Sequence, residues 1–259
     1  MKKLVRIGGA LFFVLLFCVL QISAAAQTHH WYCMRNKAHL PPPCAPEFAF
    51  IEECGGYFLD HHAGERGDKV VYLTFDAGYE NGNVARVLDT LEKTQTPAAF
   101  FVLKHFIQAN PTLIERMLAQ GHLVCNHTAH HPNLSEASAE RIKQELGELE
   151  ETYRALTGKE LAPYFRPPEG SFSRELLLHV QSLGYKTVFW SFAYADWDNN
   201  KQPSPQKAMQ CIMDNVHNGA VLLLHPTSQT NAEILPQIIE ELRAQGYRFG
   251  SLEELCGDR

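Results

Sequence analysis

Short apolar runs alternate with amphipathic stretches along most of this chain of 259 residues. Most of the apolar runs are continuous and rich in β-branched or aromatic residues, which is typical of strands buried on both faces. The stretches between them repeat their apolar residues with helical spacing. The predicted strands are Val70–Phe75, Pro97–Leu103, His122–Cys125, Tyr164–Phe165, Lys186–Phe192 and Ala220–Leu224. The predicted helices are Asn83–Lys93, Thr112–Gln120, Ser138–Leu156, Ser173–Leu183, Pro205–Asn215 and Ala232–Gln245.

This alternation predicts a parallel sheet covered by helices, because parallel strands need crossover connections that pack on the sheet. The predicted fold class is therefore α/β, and with about seven such units a distorted (β/α) barrel of about seven parallel strands is the expected architecture. In a barrel of this kind, functional residues lie at the carboxyl ends of the strands.

The first residues have the pattern of a secretory signal peptide. Basic residues precede the apolar run Ile7–Leu20, and the small residues Ser23–Ala26 follow it. This order predicts a signal peptide at 1–26, and an uncleaved anchor is the alternative, although the apolar run is short for a bilayer span. We expect an exported protein without another membrane span. Its mature part would comprise an irregular extension at 27–68 and one domain at 69–259.

The amino-acid composition and net charge limit the classes of molecule that this protein is expected to bind. The chain has 23 basic and 29 acidic residues, and three of the basic ones lie in the predicted signal, which leaves a net charge of −9. An acidic domain is poorly suited to phosphate backbones, so we expect no nucleic acid and an uncharged or zwitterionic substrate. Export would permit a disulfide within Trp31–Cys54, and free buried thiols are the alternative for Cys125 and Cys211.

Polar residues follow the predicted strands at the points where the apolar runs end. They comprise an acid, a histidine cluster, an arginine, a second acid and a further histidine. Because the carboxyl ends of parallel strands meet at one rim, we expect these side chains to converge on a site. The residues are Asp76, His127–His131, Arg166, Asp196 and His225.

The histidine cluster indicates a metal. His127 and His131 are four residues apart and could chelate one divalent ion, and imidazole ligands suit zinc. The simpler alternatives are that these are surface histidines without a ligand role, or that only one of them binds a metal. A bound metal would polarise a carbonyl and acidify water.

The other residues supply acid–base chemistry. Asp76 could accept the proton of the attacking water as general base, and His225 could donate one to a leaving group. Arg166 and Asp196 could support them by fixing the charge states of that base and acid. The set predicts a hydrolase of amides or esters.

Five separated motifs carry a resemblance to a known family. The chain resembles the polysaccharide deacetylases, carbohydrate esterase family four, which share the NodB homology domain. The longer tracts Thr74–Gly82 and Phe189–Trp197 resemble most the delta-lactam-biosynthetic de-N-acetylases. The motifs are TFDAG at Thr74–Gly78, HTAHH at His127–His131, RPPEG at Arg166–Gly170, DW at Asp196–Trp197 and LLLH at Leu222–His225.

The resemblance implies removal of acetyl from N-acetylmuramic acid of peptidoglycan during spore-cortex formation, after which the freed amine can close a lactam. The implied partner is a glycan strand of peptidoglycan. We expect the protein to act on it as a monomer, in the cell wall or in the intermembrane space around the forespore. Deacetylation of chitin-like oligomers, or a glycan-binding pseudoenzyme, are the alternatives. The candidate substrate-binding residues are Tyr79, Glu80, Asn81 and Trp197.

One position departs from the family pattern. The family's motif has a second aspartate, a metal ligand, where this chain has Ala77. Three outcomes follow: a metal held by the two histidines and water, a replacement ligand such as Glu80, or no metal. We favour the first.

Overall fold

The computed structural model describes residues 27–67 and 69–257. The predicted signal peptide at 1–26 lies outside these residues and stays a prediction. Within the described ranges, none of the helices combines the length and the apolar character needed to cross a bilayer.

Strands and helices alternate along the main part of the chain. The strands are β1 (His29–His30), β2 (Gly56–Tyr57), β3 (Val70–Ala77), β4 (Ala99–Val102), β5 (Leu123–Asn126), β6 (Ala162–Phe165), β7 (Ser171–Phe172), β8 (Lys186–Val188), β9 (Ala220–Leu224) and β10 (Arg248–Gly250). The helices are α1 (Asn83–Thr94), α2 (Lys104–Ala109), α3 (Pro111–Ala119), α4 (Ala139–Thr157), α5 (Arg174–Ser182), α6 (Pro205–Asn215), α7 (Gln229–Ala244) and α8 (Leu252–Leu255).

The strands form one curled parallel sheet. Strands β10 and β4 lie along one edge of β3 and β9 along the other, and β5, β6, β8 and β2 continue the sheet beyond β4. After β8 the chain reaches β9, where Phe192 forms a parallel bridge with Leu222 and closes the curl. The predicted α/β class and distorted barrel of about seven parallel strands are thus confirmed.

The helices cover the outside of the barrel through one apolar face each. Helix α1 buries Val84, Val87, Leu88 and Leu91 in the same cluster as outward-facing residues of β3. Each such side chain contributes about 1.5–3 kcal/mol when fully buried, so this packing holds the strand ends in place.

Serine caps set several helix boundaries. The hydroxyl of Ser138 accepts a hydrogen bond from the N–H of Arg141, and Ser228 does the same for Asn231. Such caps satisfy N–H groups that the first turn leaves free. The Ser228 cap explains why α7 begins at Gln229 and not at the predicted Ala232.

Other differences concern short elements. The predicted strand Lys186–Phe192 is regular only to Val188. The residues after Val188 leave the pairing with β2 and β6 and cross to β9, where Phe192 pairs with Leu222. Helix α2 and strand β10 were not predicted, since six and three residues are too few to show a period.

The segment 27–67 is made of turns, short 3₁₀ helices and two-residue strands. Strand β1 pairs antiparallel with β7, β2 pairs with β8, and the Trp31 indole N–H donates to the Trp190 carbonyl oxygen at 2.8 Å. The division at residue 68 stays a prediction. The disulfide that export would permit within Trp31–Cys54 is not formed: the six cysteines of the described residues are all free.

Candidate active site

A cleft of about 750 Å³ opens at the carboxyl edge of the barrel. The ends of β3, β5 and β9 and the loops after β6 and β8 supply its lining. Polar lining comes from Asp76, His127, His131 and His225, and the aromatic walls include Tyr79 and Trp197.

Asp76 is held by a buried arginine. The Nη1 of Arg166 donates to the Asp76 Oδ1 at 2.8 Å, and Nη2 donates to the Thr74 hydroxyl at 2.9 Å. The Arg166 side chain is 0% exposed and its Nε donates to the Val188 carbonyl oxygen. Burial alone would raise the pKa of Asp76, but the charge and hydrogen bond of Arg166, together with the charges of His127 and His225, outweigh it and hold that pKa below its usual value. Asp76 is therefore ionised at neutral pH, as a general base must be.

The histidine pair lies on the loop after β5. The His127 Nδ1 lies 2.8 Å from the Arg166 carbonyl oxygen, which can only accept, so Nδ1 carries the proton and Nε2 keeps a lone pair. Burial lowers the pKa of His127 to about 4. The ring of His131 packs edge-on at a centroid distance of 4.9 Å.

The loop is shaped by unusual backbone angles. Thr128 and His131 have φ of 72° and 59°, a left-handed region that non-glycine residues seldom adopt and that a β-branched residue such as Thr128 adopts most rarely. The buried carboxylate of Glu145 on α4 accepts from the backbone N–H of His130 at 2.9 Å and contacts its imidazole at 3.1 Å. The imidazole of His130 therefore faces α4, whereas the other two histidines of the motif, His127 and His131, face the cleft.

The donor set fits a metal only through two imidazoles. The His127 Nε2 lone pair lies 3.6 Å from the Asp76 Oδ2 with no proton to share between them, an arrangement that a cation would satisfy. The side chain of Ala77 has no ligand atom and is buried among the apolar residues that pack between β3 and helix α1. Across residues 27–67 and 69–257, no three histidine, cysteine or acidic side chains are grouped closely enough to hold an ion.

His225 forms an ion pair with Asp196 behind it. Its Nδ1 lies 2.8 Å from the Asp196 Oδ1, and its backbone N–H donates to Oδ2 at the same distance. Burial would lower the pKa of His225, but the hydrogen bond and charge of Asp196 prevail and raise it. The imidazole thus keeps its proton at higher pH than a free histidine, and its Nε2 is available to the cleft.

The four predicted substrate-binding residues divide into two pairs. Tyr79 and Trp197 line the cleft and are 46% and 62% exposed. Glu80 instead caps α1, because its two carboxylate oxygens accept the backbone N–H groups of Gly82 and Val84. The Asn81 amide donates to the Thr227 carbonyl oxygen at 2.9 Å. Glu80 and Asn81 are thus engaged in local contacts and do not line the cleft, so their binding of substrate stays a prediction, and the contacts of Glu80 disfavour the alternative in which it replaces the missing ligand.

Sequence reasoning missed other residues of the site. Glu169 lines the cleft with a left-handed φ of 59°, and its place inside the RPPEG motif could have indicated it. Asn231 contacts both Asp196 and His225, and an asparagine in the first turn of a helix carries no signal that could have revealed this.

The curled parallel barrel is shared with solved family 4 carbohydrate esterases, the family of the polysaccharide deacetylases. Residues 63–188 match the polysaccharide deacetylase family, and the chain belongs to it. Members are hydrolases that act on carbon–nitrogen bonds and are generally metal-dependent. The resemblance seen in the five motifs is confirmed.

Several similar proteins come from species of Bacillus. The peptidoglycan-N-acetylmuramic acid deacetylase PdaA of Bacillus subtilis is 40% identical over 231 residues, 89% of this chain and 86% of that protein. The structure of Bacillus subtilis PdaA superposes with a TM-score of 0.85 at 39% identity, covering 90% of this chain and 98% of that one. A peptidoglycan-N-acetylglucosamine deacetylase of Bacillus cereus is 32% identical over 73% of this chain and 88% of that protein.

Proposed function

We propose that this protein is an exported peptidoglycan deacetylase that removes acetyl from N-acetylmuramic acid. The observation that carries the proposal is one cleft lined by Asp76, whose pKa is lowered, and by His225, whose pKa is raised by the Asp196 carboxylate 2.8 Å away, which favours an ionised base and a protonated acid side by side. Amide hydrolysis needs both states at once, since water must lose a proton and the amine must gain one. The likeness to PdaA supports muramic acid as the sugar.

The proposed steps use these side chains in turn. Asp76 takes a proton from water as the water oxygen bonds to the acetyl carbon, and Arg166 keeps the carboxylate aligned. His225 then gives its proton to the sugar nitrogen as the carbon–nitrogen bond breaks, which yields acetate and a free amine. A divalent ion held by His127 and His131, with zinc expected, would polarise the acetyl carbonyl and acidify the water.

The cleft walls suit a glycan strand. Tyr79 and Trp197 present exposed aromatic faces on which the apolar faces of sugar rings can stack. The Tyr79 hydroxyl accepts a hydrogen bond from the Asn199 amide, which supports that wall. In this proposal the protein acts as a monomer on the cell wall or around the forespore. The amine that it frees can then close a lactam.

A second sugar has a specific observation in its favour. The Bacillus cereus relative is named for N-acetylglucosamine, and the acetamide to be cleaved is the same group in both sugars. The proposal therefore has to be tested on both, with chitin oligomers included.

The test is acetate release from purified peptidoglycan, with and without peptide stems, and from chitin oligomers, each with added zinc or with a chelator. We expect release from muramic residues, seen as new amines by mass spectrometry, and none from the Asp76→Asn variant. Release only from glucosamine residues would favour the second sugar. No release from any glycan in the presence of zinc would favour a glycan-binding pseudoenzyme.

A further inference from the structure

A buried asparagine lies behind the Asp196–His225 pair. Asn231 is the third residue of α7, it is 1% exposed, and its backbone N–H donates to the Ser228 capping hydroxyl at 3.0 Å. The cap therefore fixes the backbone from which this side chain reaches the active site.

The side chain of Asn231 uses both ends of its amide. Its Nδ2 donates to the Asp196 Oδ2 at 2.6 Å and to the His225 carbonyl oxygen at 3.1 Å. Its Oδ1 accepts the hydroxyl proton of Tyr194. Carboxylate and carbonyl oxygens can only accept, and a phenol beside an amide oxygen donates, so one orientation of the amide satisfies all three contacts.

Asp196 depends on these contacts because it is 0% exposed. Its Oδ1 faces the His225 ring, and its Oδ2 accepts from the His225 backbone N–H and from Asn231. A buried carboxylate is costly unless its oxygens are hydrogen-bonded. Without Asn231, one acceptor site of Asp196 would lose its donor, and the loop carrying His225 would lose its tie to α7.

We propose that Asn231 is a positioning residue for proton donation, holding Asp196 and the His225 backbone in the geometry that aims the His225 imidazole at the leaving nitrogen. This inference rests on the proposed deacetylase function. Asn231 does not line the cleft, so it acts through the pair and not on the substrate. Because the leaving amine needs a proton and an activated phenol does not, the role predicts a dependence on the leaving group.

The experiment compares Asn231→Leu with the wild type on an N-acetylated glycan and on 4-nitrophenyl acetate, with the zinc-loaded full chain. We expect kcat for the glycan to fall on the order of tenfold to a hundredfold, as small misplacements of reacting groups do. Hydrolysis of the aryl acetate should fall less than about threefold, and KM for the glycan should stay within about twofold. The matched control is Asn215→Leu, which removes another buried asparagine, one whose amide donates only to the Cys211 carbonyl oxygen at 2.8 Å.

Each outcome decides the matter. Equal slowing of both substrates by Asn231→Leu, no slowing of either, or the same pattern in Asn215→Leu would overturn the inference. If Asn231→Leu does not give a cooperative thermal transition, Asn231→Ser, whose hydroxyl stops short of Asp196, is judged by the same ratio. His225→Ala serves as the reference. If the wild type and His225→Ala show the leaving-group pattern and the Asn231 variant does not, only this inference fails. If the wild type releases no acetate, the proposed function itself fails.

Discussion

Replacing Arg166 by methionine tests how the base is held. The arginine side chain is fully buried and donates to Asp76, to the Thr74 hydroxyl and to a strand carbonyl oxygen. Methionine fills much of the same volume and donates nothing. The variant therefore leaves a buried carboxylate without its cation, while the surrounding packing is largely retained.

The expected loss in the free energy of unfolding is about 3–5 kcal/mol at neutral pH, the usual cost of removing one partner of a buried pair. Set against a total stability of about 5–15 kcal/mol, such a loss is readily measured. The control is Arg174→Met, because Arg174 is 49% exposed and lies 3.2 Å from the carboxylate of Glu53, which is 70% exposed. An exposed pair of this kind contributes at most about 1 kcal/mol.

The pH dependence gives a second signature. In the wild type, the lowered pKa of Asp76 contributes stability that is present above about pH 4 and is lost as the pH falls through the folded-state value. In Arg166→Met, burial acts without the guanidinium, so the pKa of Asp76 rises above its unfolded value. The destabilisation relative to the wild type should then grow as the pH rises from the unfolded-state pKa of about 4 towards the new folded-state value, and it should become small only where the pH is low enough to protonate Asp76 in both proteins.

The assay is urea unfolding of the metal-free protein in chelator, at several pH values from about 4 to 7. A loss below about 1 kcal/mol at neutral pH, or a loss equal to that of Arg174→Met, would refute the structural reasoning. A loss that does not change with pH would mean that Arg166 stabilises the barrel without controlling the charge of Asp76.

Three further changes test the remaining site residues. Asp76→Asn should lower kcat on the order of a hundredfold or more while the protein still unfolds cooperatively, at a lower temperature because Arg166 loses its buried partner, and near-normal turnover would remove Asp76 from the role of base. His127→Ala should lose bound zinc by elemental analysis, whereas His130→Ala should keep it because that imidazole faces α4, and equal metal content in the two variants would contradict the metal assignment. Asp196→Asn should move the alkaline limb of the kcat profile to lower pH, because the charge that raises the pKa of His225 is gone, and an unmoved limb would argue against His225 as the acid.

Much of the site could be predicted from the sequence because the strands are parallel. Asp76, His127 and His225 each follow an apolar run, and parallel strands bring their carboxyl ends to one edge whatever their order in the sheet. The local pattern thus determined which residues meet, along with the fold class and most helix positions.

Side-chain partners were decided only by the tertiary structure. Glu80 stands in the same motif as Asp76, but local backbone geometry turns its carboxylate onto the N–H groups that begin α1. Asn231 and Glu145 hold the site from helices whose periodicity says only which face is buried. Hydrogen-bond partners depend on distances of a few tenths of an ångström between segments far apart in the chain. Hydrophobic patterning along a chain specifies which faces are buried and does not specify such distances, and for that reason the residues that tune the charges of the site emerge only once the barrel has closed.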